Sequence, residues 1–128
     1  MSEDLYRAHL LDHYANPRNY GRLEAPDIVA DADNPSCGDQ VRIELALDDE
    51  GRVAQVAFEG EGCLVSMASA SILTGHIKGK TLAELEALSE EDALALLDAP
   101  VGSSRRRCAL LPLHVLREGL KAYRSRAA

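Results

Sequence analysis

The stretch Gln40–Gly62, "QVRIELALDDEGRVAQVAFEGEG", decides the fold class. Apolar residues alternate with polar ones at Val41, Ile43, Leu45 and Leu47, and again at Val53, Val56 and Phe58, with a slip near Ala54 and Gln55. A period of two marks strands that bury one face. The turn formers "DDEG" between the two runs predict an antiparallel hairpin.

On the C-terminal side the period changes. In "CLVSMASASILTGHIKGKT", Val65, Ala68, Ile72 and Ile77 predict a helix rich in small residues that ends near Gly79, with a surface that lets another backbone come close. Thr81 with Glu84 and Ser89 with Asp92 have the spacing of capping boxes and open two short helices, the second ended by Pro100 and Gly102. From about Ala109 onward, Leu113, Leu116, Leu120 and Tyr123 form the stripe of a last helix, with Pro112 in its first turn. On the N-terminal side, Ser2 can cap a helix carrying Leu5, Tyr6, Leu10 and Tyr14, which "NPRNYG" stops. A polar connection through Pro26 then leads to the hairpin. Strands are grouped and so are helices, which predicts an α+β fold: a small antiparallel sheet of two or more strands with helices packed on one face. One domain over residues 1–128 is expected, because no repeat or long linker interrupts the chain.

Composition narrows the function. With a single Phe, four Tyr and no Trp among 128 residues, the core must be built mainly from aliphatic side chains. The formal net charge of -7 opposes binding to nucleic acid or to an anionic membrane surface. Charged residues in the first twenty positions argue against a secretory signal, and no window approaches a membrane span, so a cytoplasmic location is expected. Three widely spaced cysteines fit a reducing compartment better than a disulfide framework.

Each cysteine falls at a junction between predicted elements: Cys37 before the hairpin, Cys63 between hairpin and helix, Cys108 just ahead of the last helix. The starts of helices favour anions, and Arg105, Arg106 and Arg107 add positive charge beside Cys108, so thiolates are expected there. Together with Asp39, two residues after Cys37, the cysteines make four donors, enough for tetrahedral zinc or one edge of an iron-sulfur cluster. No C-x-x-C occurs, so the fold as a whole would have to assemble such a site.

The contexts "NPSCGD", "GEGCLVSMASASILT" and "RRRCALLPLHVLREGL", with the opening "LYRAHLLDHYANPRNYG", resemble the motifs of the IscU and SufU family of iron-sulfur cluster assembly proteins, also called NifU N-terminal-like. The resemblance covers nearly the whole chain. It implies a SufE/NifU-like α+β scaffold that accepts sulfur from a cysteine desulfurase, assembles a labile cluster of the two-iron two-sulfur type and passes it to apo iron-sulfur proteins. Zinc or the transient cluster would be held by Cys37, Asp39, Cys63 and Cys108, with Cys108 as candidate persulfide acceptor. A carboxylate is a harder and weaker partner for iron-sulfur clusters than a thiolate, which suits a scaffold that must release its cargo. "PVGSSRRR" stands where the IscU form has its chaperone-read stretch, which argues against a dedicated chaperone. Arg107 before the last cysteine is SufU-like, whereas the short spacing from Cys63 to Cys108 is IscU-like. A zinc-dependent sulfurtransferase that activates the desulfurase, as in SufU, uses the same residues and is the alternative.

Two other classes predict different partners for the cysteines. A cysteine hydrolase needs a histidine base from His9, His13, His76 or His114, and a structural zinc module should unfold when zinc is removed. For the basic C-terminal quarter, a solvated helix face competes with docking onto an acidic patch of the desulfurase.

Overall fold

The computed structural model describes residues 3–34, 38–97 and 101–127. In chain order these form α1 (Glu3–Ala15), β1 (Ile28–Asn34), β2 (Asp39–Leu47), β3 (Val53–Glu61), α2 (Leu64–Ile77), α3 (Leu82–Glu86), α4 (Glu90–Leu97), a 3-10 turn (Ser103–Arg105) and α5 (Arg106–Ala127). The predicted hairpin is β2–β3, with Ile43 opposite Phe58 and Leu45 opposite Val56. Asp48 holds its turn, the carboxylate accepting the N–H groups of Glu50 and Arg52. The slip near Ala54 is a bulge: Ala46 pairs with Gln55 and Leu47 with Val53, which leaves Ala54 unmatched.

The sheet has a third strand where the sequence suggested only a polar connection. β1 pairs antiparallel with β2 at the far edge, in the order β1-β2-β3. Its inward residues are Ile28 followed by two alanines, a signal too faint to stand out beside the hairpin. The route into it explains the edge position. After α1 the chain bonds along β3, Phe58 N–H donating to the Asn19 carbonyl and Gly21 N–H to the Phe58 carbonyl, both at 2.9 Å. It then crosses the sheet face opposite the helices, where Leu23 N–H donates to Glu44 Oε1 at 2.8 Å, and reaches Leu45 O through Asp27 N–H.

Val41, Ile43, Leu45, Val56 and Phe58 on the other face meet the helices in one core, together with Leu73, Ile77, Leu113 and Leu116. Each such fully buried side chain contributes roughly 1.5–3 kcal/mol. α2 is the central helix, touching α1, α4, α5 and the sheet. Its surroundings bury even Ser66, Ser69, Ser71 and Thr74. Among the described residues, no buried side-chain nitrogen or oxygen lacks a hydrogen-bond partner.

Both capping boxes form, Thr81 with Glu84 and Ser89 with Asp92. Leu10 is buried in a smaller cluster with Ala68, Leu97 and Ala109, but Tyr14 lies at the surface rather than in the predicted stripe. α5 begins three residues earlier than predicted, so Cys108 lies within its first turn and Pro112 lies inside the helix. The arginine run carries no apolar period and so concealed this start. Ser2, Cys37 and Pro100 lie outside the described residues. Among the described residues, no helix is long and apolar enough to cross a membrane.

Candidate metal centre

Asp39, Cys63 and Cys108 come together from three elements: the first residue of β2, the N-cap of α2 and the first turn of α5. One ligand atom from each lies within 4.8 Å of the other two, the one such group found among the described residues. Cys37 lies outside them, two residues before Asp39.

The strand register explains Asp39. It shares a face with Val41, Ile43 and Leu45, which point toward the helices, so its carboxylate enters the protein at the end of the core and is 1% exposed. A carboxylate that deep needs donors. Cys63 N–H donates to Asp39 Oδ1 at 3.0 Å, and Cys63 Sγ lies 3.6 Å from Oδ2. Cys63 precedes α2 in an extended conformation, and its side chain makes no capping bond, which leaves the sulfur available to the site. Ser66, one turn into α2, donates its hydroxyl to the Cys63 carbonyl at 3.2 Å and lies 3.7 Å from Cys63 Sγ.

Gly62 is required by space. A Cβ there would lie 2.6 Å from both Asp39 Oδ1 and Ser66 Oγ, closer than real side chains tolerate. Cys108 is 3% exposed, whereas Cys63 is half-buried. The peptide after Cys108 is fastened to α2, Ser69 Oγ donating to the Ala109 carbonyl at 2.7 Å.

The donor set fits a zinc ion. Tetrahedral zinc with bonds of about 2.3 Å to sulfur and 2.1 Å to oxygen places those two atoms about 3.6 Å apart, the distance from Cys63 Sγ to Asp39 Oδ2. Two soft thiols and one hard carboxylate also fit an iron-sulfur cargo. Sequence reasoning named the three residues that converge here but missed the packing role of Gly62 and the hydroxyls of Ser66 and Ser69. The serines at positions 66 and 69, three apart on a helix otherwise predicted to be packed, were the available signal.

The histidines point elsewhere. His13 Nδ1 lies 2.7 Å from Ser71 Oγ, where burial and the neighbouring Arg18 and His9 lower its pKa, and its ring meets His9 edge to face. His114 Nε2 lies 3.1 Å from Glu90, and Cys63 Sγ lies beside Asp39 and Ser66. Several C-terminal arginines are engaged within the chain: Arg124 grips Glu86 with two bonds, Arg117 donates to Leu88 O, and Arg106 lies 3.7 Å from Glu90. The acidic segment before α5 therefore meets much of the basic bias that had suggested docking.

Comparison with known proteins agrees with this arrangement. Residues 5–128 match the profile of the NifU-like N terminal domain. The chain is 51% identical over 80 residues to the zinc-dependent sulfurtransferase SufU of Bacillus subtilis, a match covering 62% of this chain and 53% of that one. It is 30% identical over 124 residues to the iron-sulfur cluster assembly scaffold protein IscU of Escherichia coli K12, covering 94% of this chain and 95% of the relative. The crystal structure of a nitrogen-fixing NifU-like protein (N-terminal) from Brucella abortus superimposes with a TM-score of 0.77 at 25% identity, over 96% of each chain. The chain belongs to the NifU-like N-terminal domain family.

Proposed function

We propose that the protein is a cytoplasmic iron-sulfur cluster assembly scaffold that accepts sulfur from a cysteine desulfurase, assembles a labile two-iron two-sulfur cluster and passes it to apo iron-sulfur proteins. The observation that carries this reading is the convergence of Asp39, Cys63 and Cys108 at one end of the sheet, in a chain aligned along most of its length with an assembly scaffold. We assign Cys37 as the fourth donor from the sequence alone, where it stands two residues before Asp39.

The side chains divide the work. Cys63, half-buried at the start of α2, offers the accessible sulfur. Its own N–H pins one Asp39 oxygen and so turns the carboxylate toward the thiol. That carboxylate closes the site with a donor weaker than thiolate, which eases release of the cargo. Cys108 is assigned as sulfur acceptor: its thiolate attacks the outer sulfur of the desulfurase persulfide, a new S–S bond forms on Cys108, and the donor cysteine leaves as thiolate. Because Cys108 is buried, this step requires its side chain to rotate the sulfur outward. Zinc, when bound, keeps the coordinating thiols in the thiolate form between loading cycles.

A second reading, a zinc-dependent sulfurtransferase without cluster assembly, is favoured by the higher identity to SufU and uses the same residues. One anaerobic experiment separates them. Zinc-loaded protein is mixed with a cysteine desulfurase, ferrous iron and excess cysteine, whose thiol together with the iron supplies the electrons that reduce persulfide sulfur to sulfide, and bound zinc, iron and acid-labile sulfide are assayed. Iron and sulfide appearing in equal amounts as zinc leaves is the outcome expected of a scaffold. Retained zinc with only persulfide sulfur on a cysteine would assign the sulfurtransferase role instead.

A further inference from the structure

We propose that Ser69 is a positioning residue for the metal site, holding the Cys108 turn of α5 against α2; the proposal rests on Asp39, Cys63 and Cys108 forming that site. Its hydroxyl donates to the Ala109 carbonyl at 2.7 Å, across forty residues of sequence and between two buried partners. Pro112, inside α5, has no N–H to donate and so interrupts the helical ladder near this turn. The Ser69 bond adds a contact from a second helix at the same turn.

α2 thereby contacts both cysteine segments. Ser66 lies beside the Cys63 sulfur, and Ser69, nearly one turn farther along, fastens the residue after Cys108. The distance between the two sulfurs is set through one rigid helix rather than through the loops that precede them. Groups that orient metal ligands without binding the metal commonly alter affinity by 10–100-fold.

The test is anaerobic titration with cobalt(II), read by its thiolate charge-transfer and ligand-field bands. Ser69→Ala should bind cobalt about tenfold more weakly with shifted ligand-field bands. Thr74→Val is the control: it removes a buried hydroxyl bond of 2.7 Å to Ala70 O, wholly inside α2. Its melting temperature should fall while affinity and bands stay those of the parent protein. Wild-type bands and affinity in Ser69→Ala, or an equal change in Thr74→Val, would overturn the proposal. If Ser69→Ala does not fold, Ser69→Thr, which keeps the hydroxyl, is titrated instead. Affinity within about threefold of the parent with unchanged bands is expected, and a folded Ser69→Thr that keeps the hydroxyl yet binds about tenfold more weakly overturns the proposal. Absence of thiolate bands in the parent protein would refute the metal-site reading itself, and this inference with it.

Discussion

The two cysteine-bearing helix starts solve the same problem in opposite ways. At α2 the cysteine stands outside the helix as its N-cap, half-buried, and makes the holding contacts itself: its N–H donates to Asp39 of β2 and its sulfur lies near the Ser66 hydroxyl. At α5 the cysteine is inside the first turn and buried, and a hydroxyl from another helix fixes the peptide after it. The first sulfur is placed by contacts of its own residue at a half-buried helix start, the second by the packing of a buried turn against another helix. Replacing the first should cost the fold little, and replacing the second should cost it more.

The largest expected effect separates the two directly. Cys63→Ser and Cys108→Ser should each abolish tight zinc binding, since a hydroxyl is a poor zinc ligand at neutral pH. Their metal-free forms should differ. Cys108→Ser introduces a hydroxyl at a buried position and should cost about 1–3 kcal/mol in urea unfolding, whereas Cys63→Ser should lie within about 0.5 kcal/mol of the parent. Equal losses in the two variants would erase the distinction between the half-buried and the buried placement.

A smaller effect sharpens it. Gly62→Ala drives a methyl group into the Asp39 carboxylate and the Ser66 hydroxyl, both 2.6 Å from the new Cβ. It should weaken zinc by 10-fold or more through the Cys63 side of the site. Gly119→Ala also creates a tight contact, 3.0 Å from the side chains of Ala30 and Ile28, but where α5 packs on β1. Overpacking there should cost about 1–3 kcal/mol while leaving zinc affinity unchanged. Isothermal titration of the two variants gives the comparison, and a matching loss of affinity in Gly119→Ala would show that zinc binding reports overall stability.

The same contrast explains what could be read before the structure. Whatever is encoded locally was visible: the β2–β3 alternation, the bulge at Ala54, both capping boxes, and Cys63 at the junction of strand and helix. β1 was invisible because its inward side chains after Ile28 are alanines and because a crossing segment, not a period, brings it to the sheet edge. The start of α5 was hidden by three arginines, so Cys108 was expected outside the helix and Pro112 in its first turn. Asp39 was named from its neighbour Cys37. Its burial follows from strand parity and could have been inferred by extending the Val41–Leu45 alternation backwards by one step. The roles of Gly62 and Ser69 depend on which backbones approach them, and no local pattern carries that information.

The smallest effect concerns how α5 is tethered from outside the core. Glu90 of α4 reaches two points of α5, His114 at 3.1 Å and Arg106 at 3.7 Å, all three side chains being well exposed. The hydrogen bond from His114, then the charges of His114, Arg106 and Arg117, outweigh slight desolvation and lower the Glu90 pKa. A carboxyl whose pKa is lowered by folding contributes its full stabilisation above the ordinary glutamate range and loses it as pH falls through about 4 and below. Glu90→Gln should therefore lower the melting temperature slightly at pH 7, and the difference should fade as pH drops through the lowered Glu90 pKa. It should shrink in high salt as well, because exposed pairs are screened. If the Cys108 turn is held chiefly by Ser69 and the core, the zinc affinity of Glu90→Gln will match the parent at every salt concentration. A salt-dependent fall in that affinity would instead make surface charge part of what places the second sulfur.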